Sequence, residues 1–414
     1  MVATPQDNRL AYLDAVRAFA LILGIVFHSS LSFVPVYIGW AIMDVSTSAV
    51  VSSFTLISHS FRMALFFLVA GFFSHMTFHG KGAKRFLKSR FVRIVIPFAL
   101  LWFVLRPLLV SAWVVGAESM RGEADILKGL VTGFASLGEL PAGLFVGSHL
   151  WFLYYLVLVT AIALTLRLIV SLHAPLQSKL SAFADAVTAW IARSRLALIV
   201  VSIPTASCLW FMSHWGLDTP DKSLTPDWSV LFIYAGYFLF GWMLHRSRGL
   251  IEDFARLTWS RFVLCALAIT ASLVLVGYER NFGHEHYVLI KATFAISYAV
   301  MMWTLIALSI GLFRRFLDRH SAAVRYVADA SYWLYLVHLP IVLYLQIAFA
   351  ELPFHWSLKL VSISAITILV SLALYDLFVR STFIGATLNG RRKARVLFGF
   401  GRSAGKNQSL SISS

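Results

Sequence analysis

RLAYLDAVRAFALILGIVFHSSLSFVP, residues 9–35, decides how the chain is read: it is an apolar run long enough for a membrane helix, yet it carries Asp14, Arg17 and His28. An α-helix advances about 100° and ~1.5 Å per residue, so the positions from Arg17 to His28 turn through roughly three turns plus 20°, and Asp14 falls within about 40° of the same line. All three polar groups share one face, with Gly24 on that face between them. Arg17 and His28 stand roughly 16 Å apart along the axis, one near each side of the midplane of a hydrocarbon core ~30 Å thick. Ionisable groups are costly in hydrocarbon, so this face must look into protein or a wet cavity. Without any function, Asp14 and Arg17 would be an i, i+3 pair at a helix entrance and His28 would pack against a neighbour.

Composition agrees with a membrane protein. The chain has 414 residues, 59% of them hydrophobic and 13% charged, with mean hydropathy +0.79, which leaves no room for a sizeable soluble domain. The expected fold class is an all-α polytopic membrane protein of about ten transmembrane helices, at roughly 13–34, 49–78, 94–116, 148–169, 196–215, 228–245, 262–279, 287–313, 331–350 and 357–379. The formal charge of +16 sorts by side: 27 of the 35 Lys and Arg residues lie at the termini or in segments on the same side. The positive-inside rule then makes both termini cytoplasmic and reads the charge as a topology signal, so no nucleic-acid partner is expected. Cys208 and Cys265 both fall within expected helices, which argues against a disulfide framework. The start, MVATPQDNRL, lacks a basic n-region, so the first span is expected to be retained.

Other polar residues punctuate the spans. In SSFTLISHSFRMALFFLVAGFFSHMTF, residues 52–78, His59 and Arg62 lie one turn apart, and Arg62 is too deep to snorkel, so it requires an anionic or carbonyl partner or a place in a polar site with His28. His75 and His79 fall at the interfacial end of that span. KGAKRFLKSRFVRIVIP, residues 81–97, repeats basic residues at helical spacing and reads as a short amphipathic surface helix suited to anionic headgroups. Arg90 and Arg93 end it at the mouth of span three, where a pair of guanidinium groups suits a phosphate-bearing ligand. GSHLWFLYYL opens span four with His149, Trp151 and Tyr154, either as an interfacial belt or as a sugar-stacking surface. In ASYWLYLVHLPIVLYL, Pro340 must free a backbone carbonyl near His338. His284 and His286 in an outer loop lack the residues that would complete a zinc ligand set, and Asp376 with Arg380 reads as a structural i, i+4 pair. The tail from Arg391 turns basic and then Ser-rich and is expected to be partly disordered, most of all beyond residue 398.

The Arg-x10-His spacing after YLDAVRAF resembles the signature of the bacterial membrane-bound acyltransferases known as acyltransferase family 3. GIVFHSSLSF, SHSFRMALFFLVAGFFSHM, FVRIVIP, SHLWFLYYLVLVT, SYWLYLVHLPI and LYDLFVR are similar, in order, to a branch that acts on osmoregulated periplasmic glucans. The similarity runs to about Arg392, but residues 170–325 match in span pattern more than in residues. It implies an acyltransferase domain over 1–390 followed by the 391–414 tail, in the bacterial inner membrane. The implied donor is a cytosolic acyl-CoA, in this branch succinyl-CoA, and the acceptor a glucan hydroxyl; no tightly bound cofactor and no metal are implied. By the same resemblance Arg17, Arg90 and Arg93 hold the donor phosphates. His28 is the general base, on a polar face shared with Asp14, and His59 or Arg62 steadies the oxyanion. His149, Trp151 and His338 border the acceptor, with membrane lipid and the glucan synthase machinery as further partners. Three alternatives stay open: O-acetylation of another cell-surface glycan, a sugar or lipid-linked glycan permease, and a non-catalytic synthase subunit. A reporter joined after Ser414 is expected to be active only on the cytoplasmic side, and one inserted near Glu123 only on the periplasmic side; the reverse pattern would sink the ten-span topology.

Overall fold

A computed structural model describes residues 11–140, 149–194, 196–247, 249–318 and 321–397, and these are helical with no strand. In order the helices are α1 (Ala11–Ser30), α2 (Ala49–Lys81), α3 (Ala83–Arg90), α4 (Ile96–Ser119), α5 (Ile126–Ala135), α6 (Trp151–Ser171), α7 (Ala174–Arg193) and α8 (Ala197–Trp210). They continue with α9 (Trp228–Arg246), α10 (Leu250–Phe254), α11 (Trp259–Leu275), α12 (Tyr287–Leu317), α13 (Ala322–Phe349), α14 (Trp356–Leu374) and α15 (Phe383–Asn389). Among the described residues nine helices are long and apolar enough to cross a membrane, or ten if α7 and α8, bent by 113°, are one span. The chain is therefore a multi-pass helical membrane protein.

Two expectations about spans need correction. The fifth, placed at 196–215, is the 14-residue α8, about 21 Å long by the ~1.5 Å rise and short of the hydrocarbon thickness. It stops because the backbone N–H groups of Ser213 and His214 turn to the Asp218 carboxylate, at 2.7 and 3.3 Å, instead of continuing the helix. The basic run after Lys81 is not a separate surface helix either. From Ala83 to Ser119 the chain is one helix, broken in register only by a π-turn at Phe91–Val95. Pro97 accounts for that turn, because it has no N–H to offer the Arg93 carbonyl four residues earlier. The Tyr332 hydroxyl donates to that carbonyl instead, at 2.6 Å.

Close packing of α2 and α9 fixes the centre of the bundle. A Cβ at Gly71 would stand 1.9 Å from the Phe238 carbonyl oxygen, and one at Gly241 would stand 1.9 Å from that of Leu68, so the two backbones touch through reciprocal glycines. Phe67 on α2 then stacks on Tyr234 of α9 at 4.4 Å, and Trp151 of α6 covers Tyr234 at 5.7 Å. The loop at 34–48 is pinned by a fully buried ion pair, Lys359 Nζ to Asp44 Oδ1 at 2.7 Å, with Lys359 also donating to the Ala350 carbonyl at 3.1 Å. At the other end the 391–397 segment is tied to the bundle, since Asp376 accepts from the backbone N–H groups of Val396 and Leu397, each at 2.9 Å. The expected disorder beyond residue 398 lies outside the described residues.

Gly71→Ala is expected to lower stability in detergent by about 1–3 kcal/mol, the usual cost of overpacking. Gly236→Ala on the same α9, where an added Cβ meets nothing within 4 Å, is the control and is expected to leave the thermal midpoint unchanged. Equal midpoints for the two variants would show that the helices do not depend on this contact.

Candidate active site

One cavity of about 730 Å³ passes along α1, α2, α6 and α13, within the range of small-molecule sites. Arg17, Gly24 and His28 all lie on its wall, so the helical face expected from spacing does look into a common space. His59, Arg62, Arg90, Arg93, His149, Trp151 and His338 line it as well. Of the residues assigned to the donor, acceptor and catalytic roles from the sequence, Asp14 alone is off the wall: it is buried behind it, with its carboxylate 3.5 Å from the Arg17 guanidinium.

Three histidines meet in the middle. The ring centroid of His28 is 5.3 Å from that of His338, which is 5.4 Å from that of His149. Pro340 explains how the third arrives. Lacking an N–H, it leaves the carbonyl of Leu336, one turn earlier, without its helical partner. His149 Nε2 donates to that carbonyl at 3.0 Å, while the Tyr335 hydroxyl donates to the His149 carbonyl at 2.7 Å. His338 Nδ1 contacts only carbonyls, those of Leu334 at 3.1 Å and Tyr335 at 2.8 Å, so it must carry the proton. In a neutral ring that leaves the lone pair on Nε2, which is buried and unpartnered among the described residues, as are His28 Nδ1 and His149 Nδ1.

Arg62 reaches this region by a route the sequence did not suggest. In place of a carboxylate or carbonyl it has the face of Phe27, with its Cζ 4.1 Å from the ring centroid. Its Nη1 is buried without a hydrogen-bond partner among the described residues. The missing side chain of Gly24 makes room, since a Cβ there would already touch Arg62 Cδ at 3.7 Å. His59 is held differently, by Nε2 at 3.0 Å from the Thr219 hydroxyl of the loop before α9. His75, near the end of α2, is buried and shares a hydrogen bond with His245 at 2.8 Å.

The far end of the cavity is cationic. Arg17, Lys81, Arg90 and Arg93 line it together, and among the described residues neither Lys81, Arg90 nor Arg93 has a carboxylate partner. Arg90 donates to Ser74 Oγ and lies over Phe86, 5.1 Å from its centroid. The Arg93 guanidinium packs against Gly390, where a Cβ would fall 1.6 Å from Nη2, so the residue after α15 helps aim it. Uncompensated cations on a cavity wall suit a polyanionic ligand.

Several residues on or behind the wall carried no signal in the sequence. Trp40 stacks on His28 at 5.8 Å from an irregular loop, and Gln346 donates at 3.0 Å to each of the His28 and Ser29 carbonyls, in the last turn of α1. Those carbonyls have no helical donor of their own, so Gln346 supplies a cap from another helix and holds the end of α1 that bears His28. Tyr332 and Tyr335 could have been suspected only by asking what satisfies the carbonyls freed near Pro97 and Pro340.

Comparison with known proteins agrees with this architecture. The family model described as an acyltransferase domain matches residues 10–376. Glucans biosynthesis protein C of Escherichia coli O157:H7 is 27% identical over 341 residues, covering 81% of this chain and 83% of that protein. The protein of the same name from Escherichia coli strain K12 is 25% identical over 338 residues, with the same shares covered. No solved structure matches. With that match running from the start of α1 into the π-turn that follows α14, the chain belongs to the membrane-bound acyltransferase family 3.

Proposed function

We propose that the protein is an O-acyltransferase of the bacterial inner membrane that moves a succinyl group from succinyl-CoA to glucose hydroxyls of osmoregulated periplasmic glucans. The observation that carries this reading is the single cavity with unneutralised cations at one end and His28 beside the buried Arg62 further along it. The names of the two relatives support the glucan acceptor, and the positive-inside sorting of basic residues supports a cytoplasmic position for the cationic end.

In this reading Arg17, Arg90 and Arg93 bind the phosphates of the donor, and its pantetheine arm lies along the wall at Gly24. The glucose hydroxyl oxygen attacks the thioester carbonyl carbon while the His28 imidazole takes the hydroxyl proton. A C–O bond forms, and negative charge gathers on the former carbonyl oxygen, where the unpartnered Arg62 Nη1 is the available donor. Collapse breaks the C–S bond and the proton held on His28 passes to the leaving thiolate, giving ester and free CoA thiol. His149 and His338 border the reacting atoms, and Asp14 orients Arg17 from behind the wall.

Ester formation by purified protein in detergent, with donor and acceptor alone, is the decisive assay; a permease would give none. His28→Ala is expected to fold, because Gln346 caps α1 through the His28 backbone and not its ring. It is expected to lose roughly 10²-fold or more of the transfer rate while still binding the CoA ester. Transfer at near wild-type rate would make His28 structural. Arg93→Ala is expected to raise the donor requirement about tenfold or more, as for loss of a charged hydrogen bond, with little change in the acceptor requirement. A raised acceptor requirement with unchanged donor dependence would contradict the placing of the phosphates.

A further inference from the structure

Trp40 is built into the site more firmly than its loop position requires. Its ring lies nearly parallel to that of His28, 24° between planes at 5.8 Å, and Trp113 of α4 meets it edge-on at 5.3 Å. The indole N–H donates to Gln346 Oε1 at 2.9 Å, and the amide of the same Gln346 donates to the carbonyls of His28 and Ser29. One glutamine therefore sets both the plane of the indole and the end of the helix that bears His28. Trp113 Nε1 reaches the Gly39 carbonyl at 3.4 Å, so the two tryptophans brace the loop between them.

A second loop on the cavity wall, the one before α9, is also anchored. Its residues Thr219 and Asp221 line the same cavity, and it is tied down by the Tyr155 hydroxyl, which accepts from the Asp227 N–H at 2.8 Å, and by His59 on Thr219. The wall thus offers a fixed aromatic plate in contact with His28 and a half-buried carboxylate at Asp221. A pyranose suits both, with a C–H face for the indole and hydroxyl donors for the carboxylate.

We propose that Trp40 and Trp113, with Asp221 on the neighbouring loop, form a pyranose subsite that seats the acceptor so that one hydroxyl meets His28. This rests on the acceptor being a glycan, as inferred above, but assigns it to residues outside the transfer machinery. Trp40 is a specificity residue here, and Gln346 its positioning residue.

The test is direct binding of a β-glucan oligosaccharide to the full-length protein in detergent, alongside CoA-ester binding and the acceptor dependence of transfer. Trp40→Leu is expected to weaken oligosaccharide binding and raise the acceptor KM about tenfold or more, with CoA-ester binding unchanged. Trp40→Phe, which keeps an aromatic face, is expected to recover most of the loss, and Asp221→Asn to weaken the acceptor without touching the donor. If Trp40→Leu also loses CoA-ester binding it has misfolded, and Trp113→Leu then carries the test with the same expected loss. Oligosaccharide affinity and acceptor KM unchanged in the leucine variant that folds would overturn the subsite, as would a wild-type protein that binds no oligosaccharide. Binding that depends on Trp40 without ester formation would keep the subsite and sink the acyltransferase reading instead.

Discussion

Two prolines leave two carbonyls that must be satisfied where water is scarce, and the site grows from the way they are satisfied. Pro340 withholds an N–H from Leu336, and Pro97 withholds one from Arg93. In a membrane protein each unmet carbonyl is expensive, so a neighbour must supply the donor. His149 does so for Leu336 and Tyr332 for Arg93. The first of these bonds docks the start of α6 on α13 one turn before Pro340 and brings His149 beside His338; the second locks the basic stretch at 83–95 against α13. Both ends of the cavity are thereby referred to a single helix.

The charges follow a complementary logic. Cations away from bulk water without carboxylates are unusual, and here the buried Arg62 is held by the face of Phe27 and the half-buried Arg90 by Phe86 and Ser74. Such contacts fix a guanidinium without neutralising it, which leaves its charge available to a ligand. Lys359 shows the contrast. It is fully buried, but it is matched to Asp44 and does not line this cavity, as expected of a charge kept only to anchor a loop.

Where the sequence reading and the structure part, the cause is local backbone chemistry. Apolar length made 196–215 a span, yet Asp218 captures two N–H groups and ends the helix at Trp210. Periodicity made Lys81–Arg93 a surface helix, although a π-turn carries it into the next span. Asp376 was paired with Arg380 by spacing, whereas it also receives the backbone of Val396 and Leu397, and Arg380 donates to the Ala394 carbonyl. In each case the rule looks along one segment and is blind to donors and acceptors that arrive from elsewhere.

The sequence alone determined the class of the protein and one face of its site. A long apolar helix that places Arg17, Gly24 and His28 on one line can do so only by turning that line inward, because the cost of charge in hydrocarbon is a property of the residues themselves. The same reasoning required polar surroundings for Arg62 and a freed carbonyl before Pro340. Which groups answered those requirements was decided only by the tertiary structure. Phe27, Trp40, Gln346 and Tyr332 have no periodicity or motif of their own: Phe27 takes its role from the packing of α2 on α1, and the other three from α13 reaching α1, α4 and the loop between α1 and α2 through contacts hundreds of residues apart in the chain. A freed carbonyl or an unpaired cation can be counted from one segment, but its partner is chosen by packing, and packing is a property of the whole bundle.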